Sequence, residues 1–338
     1  MALSIMLYHI GGKNDSATVL GKLGIYGVSI FFILSGLSMA IAYDRHIDGV
    51  RSAAVFLVRR LFRIWPLLWL AITVVAVQGY FLGKPYDART IALNLSTAFG
   101  FVEPTAYINQ GAWSIGNEMV YYALTPLLIP IFRRWRMLGN LLTLFTFAIA
   151  GLFAFRWLNP NQPLGDQWAL YVHPINNLFL YCAGVALFYN MDGIRIFERW
   201  RIPLLVLPLA ALLLYPAAGD QISIATGIDR VVLSLISIAI VVAFYKCPLN
   251  LPAGLAVRLE QLGIATYGVY LLHPIVADWT RRLLTSYGLF RPALFAVLVI
   301  AITIPLALLI YRCFELPFIR LGRRLTTIPV YRRKPIRT

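Results

Sequence analysis

The chain has 338 residues, of which 60% are hydrophobic and 13% charged, with a net charge of +16; its mean hydropathy is +0.74. A soluble domain carries roughly a quarter charged residues, so the composition excludes an ordinary soluble enzyme and points to a polytopic membrane protein. Ten apolar stretches separated by arginines carry that composition. They predict an all-α integral membrane protein of about ten transmembrane helices in one bundle. A membrane domain is expected over residues 1–318, followed by a basic cytoplasmic tail over 319–338.

In chain order the predicted spans are 1–12, 24–43, 61–82, 112–132, 137–155, 174–190, 202–217, 228–245, 263–280 and 292–312. Long apolar runs without period-2 alternation exclude a lipid-facing barrel, and helices satisfy their own backbone groups in hydrocarbon. The first stretch would make a helix only about 18 Å long, short of a hydrocarbon core of about 30 Å. It has no basic leader and no small-residue cleavage site, so it is not a signal peptide. It reads either as the remainder of a helix truncated upstream or as a short helix tucked against its neighbours.

Lys and Arg set the orientation. One set of connections holds Arg45, Arg51, Arg59, Arg60 and Arg63, then Arg133, Arg134 and Arg136, then Arg195, Arg199 and Arg201, then Lys246 and Arg258. The C-terminal segment from Arg312 to Arg337 adds to it. The other set is poorer: Lys13, Lys22, Lys84, Arg89, Arg156, Arg230, Arg281, Arg282 and Arg291. The richer set is expected in the cytoplasm, with both termini there. Its tail suits anionic lipid headgroups. Charge spread over short loops excludes a nucleic-acid surface. Arg281, Arg282 and Arg291 break the pattern, as contacts for an anionic acceptor or as a lipid anchor. Cys182, Cys247 and Cys313 show neither pairing nor metal spacing, and no metal is predicted.

Ionisable residues inside spans are expensive and usually functional. His9 lies at the end of the first span remote from the arginine-rich side. Imidazole is the commonest general base near neutral pH; the plainer alternative is one structural hydrogen bond. Trp113-Ser114-Ile-Gly-Asn-Glu118 opens the fourth span from the same side. Ser114 and Glu118 share a helix face that Tyr121 and Tyr122 continue. Glu118 should have an interior partner, as a group that orients a base, as a contact for a hydroxylated substrate, or as a packing carboxylate. Arg59-Arg60-x-x-Arg63-Ile-x-Pro66 opens the third span from the arginine-rich side. Guanidinium forks suit phosphate oxygens, so a lipid headgroup or a phosphorylated cofactor is expected there. Tyr267-Gly-Val-Tyr270-Leu-Leu-His273-Pro274 aligns two tyrosines and a histidine on one face before a proline. Gly27-Val-Ser29-Ile-Phe-Phe-Ile-Leu-Ser35-Gly36 is a small-residue face suited to close packing. His46 and His173 have no evident partner.

Together these segments resemble acyltransferase family three, the membrane-bound acyltransferases of bacterial cell-surface carbohydrates, from Leu7 to about Arg324. The matching pieces, in family order, are His9, Gly27–Gly36, Arg59-Arg60-x-x-Arg63-Ile-x-Pro66, Trp113-Ser114-x-x-x-Glu118, Tyr267–Pro274 and Phe314-Glu315-x-Pro317-Phe318. The family also carries an arginine eleven residues before the histidine, which here would precede Met1. Without a soluble hydrolase-like domain, the chain resembles the stand-alone type. The resemblance implies an inner-membrane O-acyltransferase. The donor would be acyl-coenzyme A, by family habit acetyl-coenzyme A, at the cytoplasmic side; the acceptor would be a carbohydrate hydroxyl at the outer side. Arg59, Arg60 and Arg63 would clamp the coenzyme A phosphates. His9 would take the hydroxyl proton, and Glu118 would orient His9 or the acceptor. Ser114, Trp113, Tyr122 or His273 would contact substrate or donate to the oxyanion. No cysteine is placed near that site, so direct transfer is expected. The rivals are a flippase for an anionic lipid-linked sugar, which inverted repeats would favour, and a non-catalytic relative.

Overall fold

The structure, a computed structural model, describes residues 2–11, 15–191, 193–249 and 251–326. Met1 and Gly12 of the first predicted span, and the tail from 327 onward, lie outside the described residues. Among the described residues there is no strand and one isolated bridge, Asp15 to Asp220. The helices are α1 (Ala2–Gly11), α2 (Val19–Tyr43), α3 (Val50–Phe81), α4 (Ala88–Leu95), α5 (Phe99–Val102), α6 (Trp113–Arg134), α7 (Arg136–Leu152), α8 (Trp168–Tyr171), α9 (Pro174–Met191), α10 (Glu198–Leu214), α11 (Ile222–Ala225), α12 (Gly227–Lys246), α13 (Ala253–Ser286), α14 (Pro292–Ile310) and α15 (Leu316–Leu325). π-Helical turns follow α7 and α14, at Phe153–Trp157 and Tyr311–Glu315.

Each predicted stretch falls on a helix, but ten spans are not reproduced. Six helices among the described residues are long and apolar enough to cross a membrane, or seven if the bent pair Leu164–Tyr171 and Pro174–Met191 counts as one. Helix α1 has 10 residues and α10 has 17. Helix α13 is 34 residues long, but Thr266, Tyr267, Tyr270, His273 and Asp278 dilute its apolar character. The protein is a multi-pass membrane protein in which some apolar helices pack within the bundle without meeting the length and composition of a span.

Lipid tails are as apolar as leucine, so helices in a membrane associate by close packing and polar contacts rather than by hydrophobic burial. The most extensive helix pair, α2 with α9, does this through two glycines. A Cβ on Gly36 would lie 2.1 Å from the Tyr181 carbonyl oxygen, and one on Gly184 would lie 2.0 Å from that of Ile33. The small-residue face of 27–36 therefore has its partner. The same helix carries α1: a Cβ on Gly24 would meet the Tyr8 ring at 2.8 Å. Helix α1 also leans on α13, which fixes where His9 sits.

Gly36→Ala and Gly184→Ala should each destabilise the protein by about 1–3 kcal/mol, the usual cost of overpacking, seen as a lower melting temperature in detergent. Gly254→Ala, where a Cβ meets nothing within 4 Å, should leave it unchanged or raise it. Equal melting behaviour for all three would mean that α2 and α9 do not depend on this approach.

Candidate active site

His9 lines a cavity of about 380 Å³ together with Tyr8, Tyr107, Gln110, Trp113, Trp168, Tyr171, Asp220, Gln221 and Tyr270. Its Nδ1 lies 2.8 Å from Nε2 of His273, with the rings 13° from parallel. His273 is fully buried, and its Nδ1 is 3.0 Å from the Val269 carbonyl oxygen. The cavity wall is aromatic and edged with amides and a carboxylate, a lining that matches the faces and hydroxyls of a sugar. The Trp168 indole N–H donates to the Tyr107 hydroxyl at 2.7 Å, and burial raises the Tyr107 pKa above its ordinary value.

Glu118 is buried on α6, and its partners are not His9. Its Oε1 accepts from the Ser35 hydroxyl at 2.8 Å and from the Tyr122 hydroxyl. The expected orienting contact from Glu118 to His9 is therefore corrected: among the described residues the hydrogen-bond partner of the His9 ring is His273. Tyr122 spends its proton on Glu118, which also removes it as an oxyanion donor. The Ser114 hydroxyl lies 2.8 Å from that of Tyr270, and both reach the Gly111 carbonyl, at 3.1 and 2.9 Å. Trp113 packs edge-on against Phe32 and Trp168.

Towards the other end of α3 and α13 a larger space of about 860 Å³ is lined by Tyr43, His46, Arg59, Arg60, Arg63, Tyr311, Arg320 and Arg323, among others. Its three predicted arginines are not equivalent. Arg59 Nε donates to Thr326 Oγ1 at 2.8 Å. Arg60 donates to the Tyr43 hydroxyl at 2.8 Å and lies over the Tyr43, Phe56 and Tyr122 rings. Arg63 pairs with Glu315 at 3.1 Å between the rings of Tyr267 and Tyr311. The π-turn presents Glu315, which is 1% exposed.

A tight crevice adjoins the His9 cavity. Only about 20 Å³ is open in it, and Ala2, Ile5, Val28, Phe31, Ser114, Glu118, Tyr267 and Tyr270 form part of its wall. Ile5, Val28 and Tyr270 also line the His9 cavity, while Tyr267 touches Arg63. Arg59, Arg60 and Arg63 thus line one space, Glu118 the crevice, and His9 the third.

Of the residues left aside, His46 lines the arginine space, and His173 Nδ1 accepts from the Ile175 N–H at 3.3 Å. Arg282 pairs with Asp278 at 2.8 Å, and Arg281 lies over the Phe295 ring at 4.8 Å. Both side chains are exposed while making these contacts. Ser35 sat inside a stretch that reads as structural, and Glu315 in a motif without an assigned role. Trp168 and Tyr171 carry no local signal.

A family model described as an acyltransferase domain, that of acyltransferase family three, matches residues 1–312. The chain belongs to this family. Among curated proteins it is 25% identical to the exopolysaccharide production protein ExoZ of Rhizobium meliloti (strain 1021), covering 94% of this chain and 96% of that protein. It is 25% identical to the putative membrane-bound transacylase BcsY of Komagataeibacter xylinus, over 92% and 78% of the two chains. It is 26% identical to the acyltransferase MdmB of Streptomyces mycarofaciens, over 89% and 83%. No solved structure matches the chain.

Removing one partner of a buried ion pair leaves the other uncompensated. The Arg63 side chain is 29% exposed, which screens part of that cost. Arg63→Ala should therefore lower stability by about 1–3 kcal/mol, and adding Glu315→Gln should recover most of the loss. A double variant as unstable as the single one in thermal unfolding would show that the pair does not hold α3 to the π-turn.

Proposed function

We propose that this acyltransferase moves an acyl group, most simply acetyl, from acyl-coenzyme A to a hydroxyl of a cell-surface or lipid-linked carbohydrate. The observation that carries the reading is the sequence of three spaces: a basic one of about 860 Å³, an apolar crevice, and an aromatic cavity of about 380 Å³ that holds His9. A coenzyme A thioester has the same order of chemistry, with phosphates, a slender arm and a reactive carbonyl. Its fit supports a donor that enters from the arginine end, and the richer supply of Lys and Arg on that side supports a cytoplasmic entrance in an inner-membrane protein. Tyr267 and His273 lie six residues apart on α13, about 9 Å of helix rise, so the arm spans much of the distance.

In this reading Arg59 and Arg60 hold phosphate oxygens through charge-assisted hydrogen bonds. Arg63 is committed to Glu315 and shapes the entrance. Glu118 lines the crevice, where its carboxylate accepts an amide N–H of the arm. The carbohydrate stacks on Trp113, Trp168 and Tyr171. His9 takes the proton from the acceptor hydroxyl as that oxygen bonds to the thioester carbonyl carbon. The tetrahedral intermediate then expels the coenzyme A sulfur, which receives the proton back from His9. The products are an ester and a free thiol. The Ser114 and Tyr270 hydroxyls line the crevice but spend their protons on the Gly111 carbonyl and on each other, so either would have to turn away from that carbonyl to serve the oxyanion. Both cysteines that are buried, Cys182 and Cys247, line none of the three spaces, which supports direct transfer.

In nanodiscs, the purified protein should bind acetyl-coenzyme A and release free thiol when a carbohydrate acceptor is supplied. His9→Ala should lower turnover by at least the 10²–10⁴-fold typical of a lost general base while keeping donor affinity. Arg59→Gln or Arg60→Gln should weaken donor binding about tenfold, as expected for one lost charged hydrogen bond. Full turnover by His9→Ala would remove His9 from the chemistry. Failure of the wild type to bind any acyl-coenzyme A would remove the donor.

A further inference from the structure

A general base needs its lone pair on the side of the substrate, and in imidazole the neighbour of one nitrogen decides the state of the other. The contacts around His9 settle which nitrogen that is. The Val269 carbonyl can only accept, so His273 Nδ1, 3.0 Å away, is the protonated nitrogen of that ring. A doubly protonated His273 would be a fully buried cation. Among the described residues no carboxylate lies within ion-pair distance of either histidine, and an unpaired buried charge is very costly. His273 Nε2 is then a bare acceptor, and the 2.8 Å contact to His9 requires His9 Nδ1 to donate. A neutral His9 with its proton on Nδ1 carries its lone pair on Nε2. We propose that His273 is the positioning residue that fixes His9 as the Nδ1–H tautomer and turns a basic Nε2 to the cavity. The same contacts leave His273 no N–H for an oxyanion. The geometry thus gives this site a neutral histidine in the place where an acidic residue would otherwise orient the base.

The functional consequence rests on the acyl-transfer reading; the tautomer does not, and it can be measured directly. The chain has 4 histidines, so a ¹⁵N-histidine spectrum of the protein in nanodiscs, above the imidazole titration range, is simple, and His9→Asn assigns the His9 signals. The wild type should show His9 with a protonated Nδ1 and a bare Nε2, opposite to the preference of a free histidine side chain. His273→Gln, whose amide oxygen can accept in place of the imidazole Nε2, should keep that pattern. His273→Leu should return His9 to the ordinary mixture dominated by Nε2–H. In acetyl-coenzyme A turnover, His273→Leu should lose about 10–100-fold in kcat with donor KM unchanged, and His273→Gln should recover most of it. A protonated His9 Nε2 in the wild type overturns the proposal even if neither variant folds, as does an unchanged tautomer in a folded His273→Leu. The expected tautomer without any thioester turnover leaves this assignment standing and removes the reaction instead.

Discussion

Inside a helix bundle that water does not reach, a polar side chain is held by another polar group or it costs several kcal/mol. That constraint organises this protein. Lys22, 2% exposed, caps two carbonyls, of Leu213 and Tyr215, at 2.7 and 2.9 Å. Buried Arg230 holds the Asn176 side-chain and backbone oxygens at 2.6 and 2.9 Å. Glu118 draws in Ser35 and Tyr122, Arg63 finds Glu315, and His9 finds His273. Apart from Tyr122, which shares α6 with Glu118, each partner lies on a different segment of the chain, so these polar groups also tie the bundle together.

The three spaces along the proposed donor path differ in kind because their walls come from different parts of the chain. The arginine end is built from the start of α3, the π-turn and α15, where basic residues meet aromatic rings. The crevice is walled mainly by α1, α2, α6 and α13, and by aliphatic and aromatic groups. The His9 cavity adds the Tyr107–Gly111 loop and the bend before α9, which bring tryptophan, tyrosine and amide side chains. A basic end, a narrow middle and an aromatic end follow from that division of the walls.

The positions of the helices were legible in the sequence because long apolar runs leave few alternatives. Their number as spans was not, since apolarity alone does not separate a crossing helix from the 10 residues of α1 or the 17 of α10. His9, Glu118 and the arginines stood out as expensive groups in an apolar setting. Their partners were hidden by sequence distance. His273 is 264 residues from His9, and Ser35 is 83 from Glu118. A local pattern cannot say which of two distant polar groups meet. Of the two contacts expected for Glu118, to His9 or to the acceptor, the one to His9 is not made, and the His9 ring meets an imidazole instead. Trp168 and Tyr171 escaped notice because a bent connection, and not a periodic helix, delivers them to the cavity.

The glycine contact between α2 and α9 has a consequence for how the protein is made. Gly36 and the Tyr181 carbonyl are brought together at a distance no Cβ would tolerate, yet 145 residues of chain separate them. At a synthesis rate of about 5–20 residues per second, α2 leaves the ribosome roughly 7–30 s before its partner exists. During that interval the face of α2 that carries Gly36 is open to lipid or to the insertion machinery. The close seam between α2 and α9 therefore forms only after α2 has waited through the synthesis of α3 to α8, and biogenesis must shelter a nascent helix whose glycine face has nothing yet to meet.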